Sequence, residues 1–147
     1  MSSEKVSTST LLRRLFKTAS LERVIRRFDE AEPDVPPFHE YINNLCKEKG
    51  IVPEQIIKNA DIERTFGHKF FNGTRNPSRD RVIQLAFGFG MDYDEAQRLL
   101  TIANRGALYP RVKRDAVIIY ALERGLDIVA VQATLHELSM PLLGELK

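Results

Sequence analysis

The sequence predicts an all-helical protein: a five-helix core, preceded by an N-terminal helical hairpin and followed by a C-terminal two-helix extension. Three observations lead there. Apolar residues recur at helical spacing along most of the chain, as in Ala96, Leu99, Leu100 and Ala103 at i, i+3, i+4 and i+7. Residues that start and stop helices flank those stripes: Ser20, Ser78 and Asp127 as N-caps, Gly50, Gly73 and Gly125 as terminators. Between residues 53 and 72, two short segments with apolar faces meet at Asp61, and Asp enters the left-handed conformation of a tight turn at low cost.

Residues 1–9 are rich in Ser and Thr and read as disordered. Ser9 or Thr10 then caps a helix running to Lys17, with Leu11, Leu12, Leu15 and Phe16 on one stripe. Ser20 caps a second helix, Leu21 to about Glu30, whose apolar face is Leu21, Val24, Ile25 and Phe28. Arg13, Arg14, Lys17, Arg23, Arg26 and Arg27 line this pair, a pattern also found on membrane-surface helices. Glu22, Asp29, Glu30, Glu32 and Asp34 nearly cancel that charge, which favours a hairpin docking on protein. Residues 32–37 contain three prolines and read as a linker, so the expected division is 1–36, 37–104 and 105–147.

The core begins with Phe38–Lys49, where Phe38, Tyr41, Ile42 and Leu45 share a face and Gly50 ends the helix. Pro53 opens the second helix, in the first turn where its missing N–H costs nothing, and Ile56, Ile57 and Ala60 face inward. A third helix is expected over residues 63–72, with Phe66 and Phe70 stacked at i and i+4 and with Arg64, Thr65, His68 and Lys69 off that stripe. Ser78 caps Arg79–Phe89, carrying Val82, Ile83, Leu85, Ala86 and Phe89, and Asp92 to Glu95 has the spacing that starts a fifth helix. In the tail, a loop over 104–112 leads to a helix at 113–124. Its run AVIIYAL, 116–122, is apolar on every side, as in a sandwiched helix or one shared with another subunit. Asp127 caps the last helix, 128–138, with Val131, Leu135 and Leu138 on one face, and Met140-Pro141 stops it.

The order helix, turn at Asp61-Ile62, helix, then Asn72-Gly73-Thr74-Arg75-Asn76-Pro77-Ser78 resembles the helix-turn-helix of the phage repressor and Cro-like (XRE) family. The resemblance spans roughly residues 38–103, without a gap over 50–78. It implies that the helix at 63–72 enters the major groove of DNA, that Arg64, Thr65, His68 and Lys69 contact bases or phosphates, and that Thr74 and Arg75 meet the backbone. Arg79, in the first turn of the following helix, is expected to hold a phosphate as well. Charge agrees with this: residues 64–81 carry five Lys or Arg against one acid, Asp80, whereas residues 91–147 balance seven basic groups against eight acidic ones.

Composition bounds the alternatives. The chain has 147 residues, 43% of them hydrophobic and 29% charged, with a net charge of +2, ordinary values for a globular protein with a real core. No apolar run approaches the roughly 20 residues that cross a bilayer, and the N-terminus lacks the pattern of a signal peptide, so a cytoplasmic location without membrane attachment is expected. The single cysteine, Cys46, falls on the first core helix and reads as a small core residue. His39, His68 and His136 lie on different helices without metal-ligand spacing. No phosphate-cradling glycine loop or nucleophile elbow is present. No catalytic residue, metal or cofactor is therefore expected.

Two functions follow. The first is a sequence-specific binder of double-stranded DNA, a transcriptional regulator that forms a homodimer through the tail or the N-terminal hairpin. The second is a protein–protein interaction module that keeps the helix-turn-helix fold without DNA contact, with a protein partner on the N-terminal or C-terminal helices. Val52, Pro53, Glu63 and Gly67, where the family has other residue types, favour the second, as does the low net charge.

Overall fold

In a computed structural model, residues 35–144 are described, together with Leu21 and Arg23. The chain divides into two units, Met1–Val35 and Pro36–Lys147. Leu21 and Arg23 are helical. The rest of the hairpin expected over 10–30, the start expected to be disordered and residues 32–34 of the expected linker lie outside the described residues.

Within residues 35–144 there are seven helices, and no strand occurs among the described residues. They are α1 (Phe38–Lys49), α2 (Pro53–Asn59), α3 (Arg64–Phe71), α4 (Arg79–Phe89), α5 (Tyr93–Ile102), α6 (Lys113–Glu123) and α7 (Ile128–Glu137). Their ends follow local chemistry. Gly50 and Gly90 close α1 and α4 at φ 69° and 70°, in the left-handed region that glycine enters without penalty. The hydroxyl of Ser78 accepts from Arg81 N–H, the carboxylate of Asp127 accepts from Ala130 N–H, and Asp92 and Glu95 cap each other's backbone reciprocally. Asp61 takes φ 58° in the turn between α2 and α3, and Ile62 just after it is buried.

The core is continuous from α1 to α7, with Ile42, Ile57, Phe70, Leu85, Leu99 and Leu135 among its almost wholly enclosed side chains. Two helix pairs come unusually close. A Cβ on Gly67 would lie 2.5 Å from Ile57 Cγ2, and one on Gly88 would lie 2.6 Å from the Ile56 carbonyl oxygen. Glycine at these positions lets α3 and α4 rest directly against α2, a helix too short to persist without packing.

In the tail, α6 buries Ile118, Ala121 and Leu122 but leaves Tyr120 54% exposed. The Arg124 guanidinium stands 4.7 Å from the Tyr120 ring centroid, so the outer side of this apolar helix is covered in part by a cation. Leu138, expected on the inner face, is 51% exposed at the end of α7, where the helix has already stopped. Cys46 is buried as expected, and burial pushes its thiol up from the ordinary value, away from reactivity.

Candidate nucleic-acid interface

The face centred on α3 is built by what α3 buries. Gly67, Phe70 and Phe71 point into the core, while Arg64, Thr65 and Lys69 are exposed and His68 is half-buried at the margin. Sequence periodicity placed Phe66 inward with Phe70. The structure instead buries Phe71 and leaves Phe66 half-exposed, its ring edge-on to Phe70 with centroids 4.7 Å apart. The helix is unbroken at Gly67.

Glu63 is the N-cap of α3. Its carboxylate accepts from Phe66 N–H at 2.8 Å and Thr65 N–H at 3.0 Å, and these backbone donors, Phe66's first, hold its carboxyl below the usual range. Arg64 is exposed and donates from Nε to Glu54 Oε2 on α2 at 2.8 Å. That hydrogen bond, then the charge behind it, lowers the Glu54 carboxyl and raises the Arg64 guanidinium. His68 Nε2 lies 3.9 Å from Glu54 Oε1 and has no hydrogen-bond partner.

In the following loop, Thr74 donates from both its N–H and its hydroxyl to Asn72 Oδ1, which folds the loop back on the end of α3. Arg75 is exposed, and its guanidinium stands 5.3 Å from the Phe66 ring centroid. Arg79, expected to meet phosphate, is engaged elsewhere. Its guanidinium turns to the tail, donating to Asp115 Oδ2 at 2.8 Å, to the Gly106 carbonyl at 2.9 Å and to the Ala107 carbonyl at 2.8 Å. Asp115 is 4% exposed and also accepts from Tyr109 N–H. A carboxylate so enclosed requires a cation, and Arg79 supplies it.

A reciprocal pair stands beside it. Arg114 donates through Nη1 and Nη2 to the two oxygens of Asp80 at 3.1 and 3.0 Å, and further to the carbonyls of Pro141 and Leu142. The Arg-Asp dipeptide at 79–80 thus pairs crosswise with the Arg-Asp dipeptide at 114–115. Their identity in sequence was the signal available, and charge counting passed over it. Arg81, counted among the local basic residues but not among the expected contacts, is half-buried with its guanidinium 5.1 Å from the Phe66 ring centroid.

Among the described residues, no group of three or more His, Cys, Asp or Glu is arranged to hold a metal ion, and no helix is long and apolar enough to cross a membrane. A scan against protein-family models finds no match, and comparisons with curated proteins and with solved structures find none either.

Proposed function

We propose that α2, the turn at Asp61 and α3 act as the helix-turn-helix of a phage repressor or Cro-like protein, and that the chain is a sequence-specific binder of double-stranded DNA that regulates transcription. The observation that carries this reading is the division of α3, an eight-residue helix whose Gly67, Phe70 and Phe71 are buried while Arg64, Thr65 and Lys69 stay in solvent. The major groove admits a helix, and a guanidinium or ammonium there reads guanine O6 and N7. In this reading Arg64 and Lys69 face base edges, Thr65 and His68 flank them, and Thr74 and Arg75 meet the backbone. Arg79 is spent on Asp115 and takes no part. A homodimer through the tail, where Tyr120 and Val129 are 54% and 70% exposed, would present two α3 helices about 34 Å apart.

The test is selection of bound duplex from a random-sequence pool, followed by fluorescence anisotropy across a salt series. An enriched motif is expected, with log K falling linearly against log salt concentration. No enrichment, together with no binding to mixed-sequence duplex at about 50 mM salt, overturns the proposal.

A second reading, an interaction module without DNA contact, is favoured by two observations: Glu54 already neutralises Arg64, and Val129 and Tyr120 offer apolar surface on the tail. Under it, Val129→Asp abolishes recovery of a protein partner in pull-down while Lys69→Ala does not. DNA selection fails for both variants and for the parent chain.

A further inference from the structure

A cleft of about 560 Å³ beside the α3 face is lined by Phe66, Arg75, Arg81, Arg114, Pro141 and Gly144, with the start of α4 as its floor. Its size lies within the roughly 300–1,000 Å³ typical of small-molecule sites. Four arginines reach it, and the fold accounts for two. Arg79 is paired with Asp115 and Arg114 with Asp80. None of the ion pairs among the described residues involves Arg75 or Arg81. Arg81 donates to Gln84 Oε1 at 3.1 Å and to the Gly144 carbonyl at 3.3 Å, both neutral acceptors. The two guanidiniums stand 5.3 and 5.1 Å from the centroid of the same Phe66 ring. Both guanidiniums also line the cleft, and among the described residues neither is paired with an acid, so an anion in the cleft would be stabilised by them.

The geometry points to this cleft as a binding site for a phosphate group carried by a small molecule of about nucleotide size, held by Arg75 and Arg81. A guanidinium fork matches two phosphate oxygens, and stacking on Phe66 orders both side chains beforehand, lowering the rotamer cost of binding. The walls favour a small ligand. Arg81 is half-buried, and Phe66 and the tail residues Pro141 and Gly144 line the cleft beside it.

Occupancy has a route to α3. Gln84, 2% exposed, accepts from Arg81 and donates to the carbonyls of Ala60 and Asp61 in the turn that launches α3. Arg75 is also the residue assigned above to the DNA backbone, so ligand and duplex compete for it. This competition rests on the DNA-binding proposal, while the site itself does not.

Pyrophosphate is the probe, titrated calorimetrically into the full chain at about 50 mM salt. Saturable binding with Kd of about 1 mM or below is expected, weakened about tenfold by Arg75→Ala and by Arg81→Gln and unchanged by Lys47→Ala. Arg75→Ala disturbs no hydrogen bond of the side chain, so it keeps the test decisive if Arg81→Gln fails to fold. No saturable binding up to about 10 mM pyrophosphate, or a Kd that Arg75→Ala leaves unchanged, overturns the site. A duplex arm separates the two proposals. Pyrophosphate binding without duplex binding upholds the site and removes the regulator. Duplex binding that weakens in Arg75→Ala, with no pyrophosphate binding, assigns Arg75 to the DNA backbone alone and overturns the site.

Discussion

The pairs Arg64–Glu54 and Arg79–Asp115 share a closest separation of 2.8 Å and differ in everything around it. The first lies in solvent, with side chains 69% and 56% exposed, whereas the second is enclosed, at 30% and 6%. An exposed pair is screened and exchanges partners readily, so little is lost when Arg64 leaves Glu54. An enclosed pair is costly to open, because removing one member strands the other. The α2–α3 region therefore holds its ion pair in solvent, while the junction of α4 with α6 uses its cations as structure. Charge counted along the chain does not separate these two fates.

The sharpest way to break this contrast is Asp115→Ala, expected to lower stability by about 3 kcal/mol in urea denaturation because it strands Arg79 and removes the acceptor for Tyr109 N–H. Glu54→Ala should move the midpoint little. Comparable losses from the two variants would show that enclosure is not what distinguishes the pairs. Next comes Gly67→Ala, which by helix propensity alone should gain about 1 kcal/mol. With a Cβ 2.5 Å from Ile57 Cγ2, the overpacked α2–α3 contact should instead turn this into a net loss of about 1 kcal/mol, and the sign of the measured change decides.

Smaller effects concern function. In the anisotropy series, Arg75→Ala should reduce the salt slope by about one, whereas Arg79→Ala should leave the slope unchanged while lowering stability. A slope that falls in Arg79→Ala would return that residue to the interface. The smallest effect is acid sensitivity. The carboxyls of Glu54 and Glu63 lie below their ordinary range when folded, so their contribution is complete above the unfolded value of about 4.3 and is lost as pH falls through the folded values. Amide exchange at Thr65 and Phe66 should therefore rise at the acid end before exchange in α4 does, and Glu63→Ala should remove the pH dependence at those two amides.

Most helix boundaries could be read from the chain because their causes are short-range. Ser78, Asp92 with Glu95, and Asp127 act on backbone groups two or three residues away, and Gly50 and Gly90 relieve strain at a single residue. The inner faces of α1 and α5 followed from spacing for the same reason, whereas α4 is buried at every position from 82 to 89, Gln84 and Phe87 included. Phe66 and Phe71 did not follow from spacing, since which aromatic on α3 is enclosed depends on where α1 and α2 pack against it. Of the candidate site, Arg64, Thr65 and Lys69 could be placed on an exposed face from the positions of their apolar neighbours. Arg79 could not, because its partner Asp115 is 36 residues away and nothing local links them.

Residue order alone thus decides that this protein is helical, where most of its helices begin and end, and which charges they carry, because capping and periodicity work within one or two turns. Packing alone decides which of those charges are free. Gly67 and Gly88 look like weak points in isolated helices and become the places where α3 and α4 close on α2. Arg79 looks like part of a basic surface and becomes the cation that an enclosed carboxylate requires. The physical reason is the same in each case: the cost of a bare backbone or a buried charge is set by the neighbour that covers it, and that neighbour comes from a distant part of the chain.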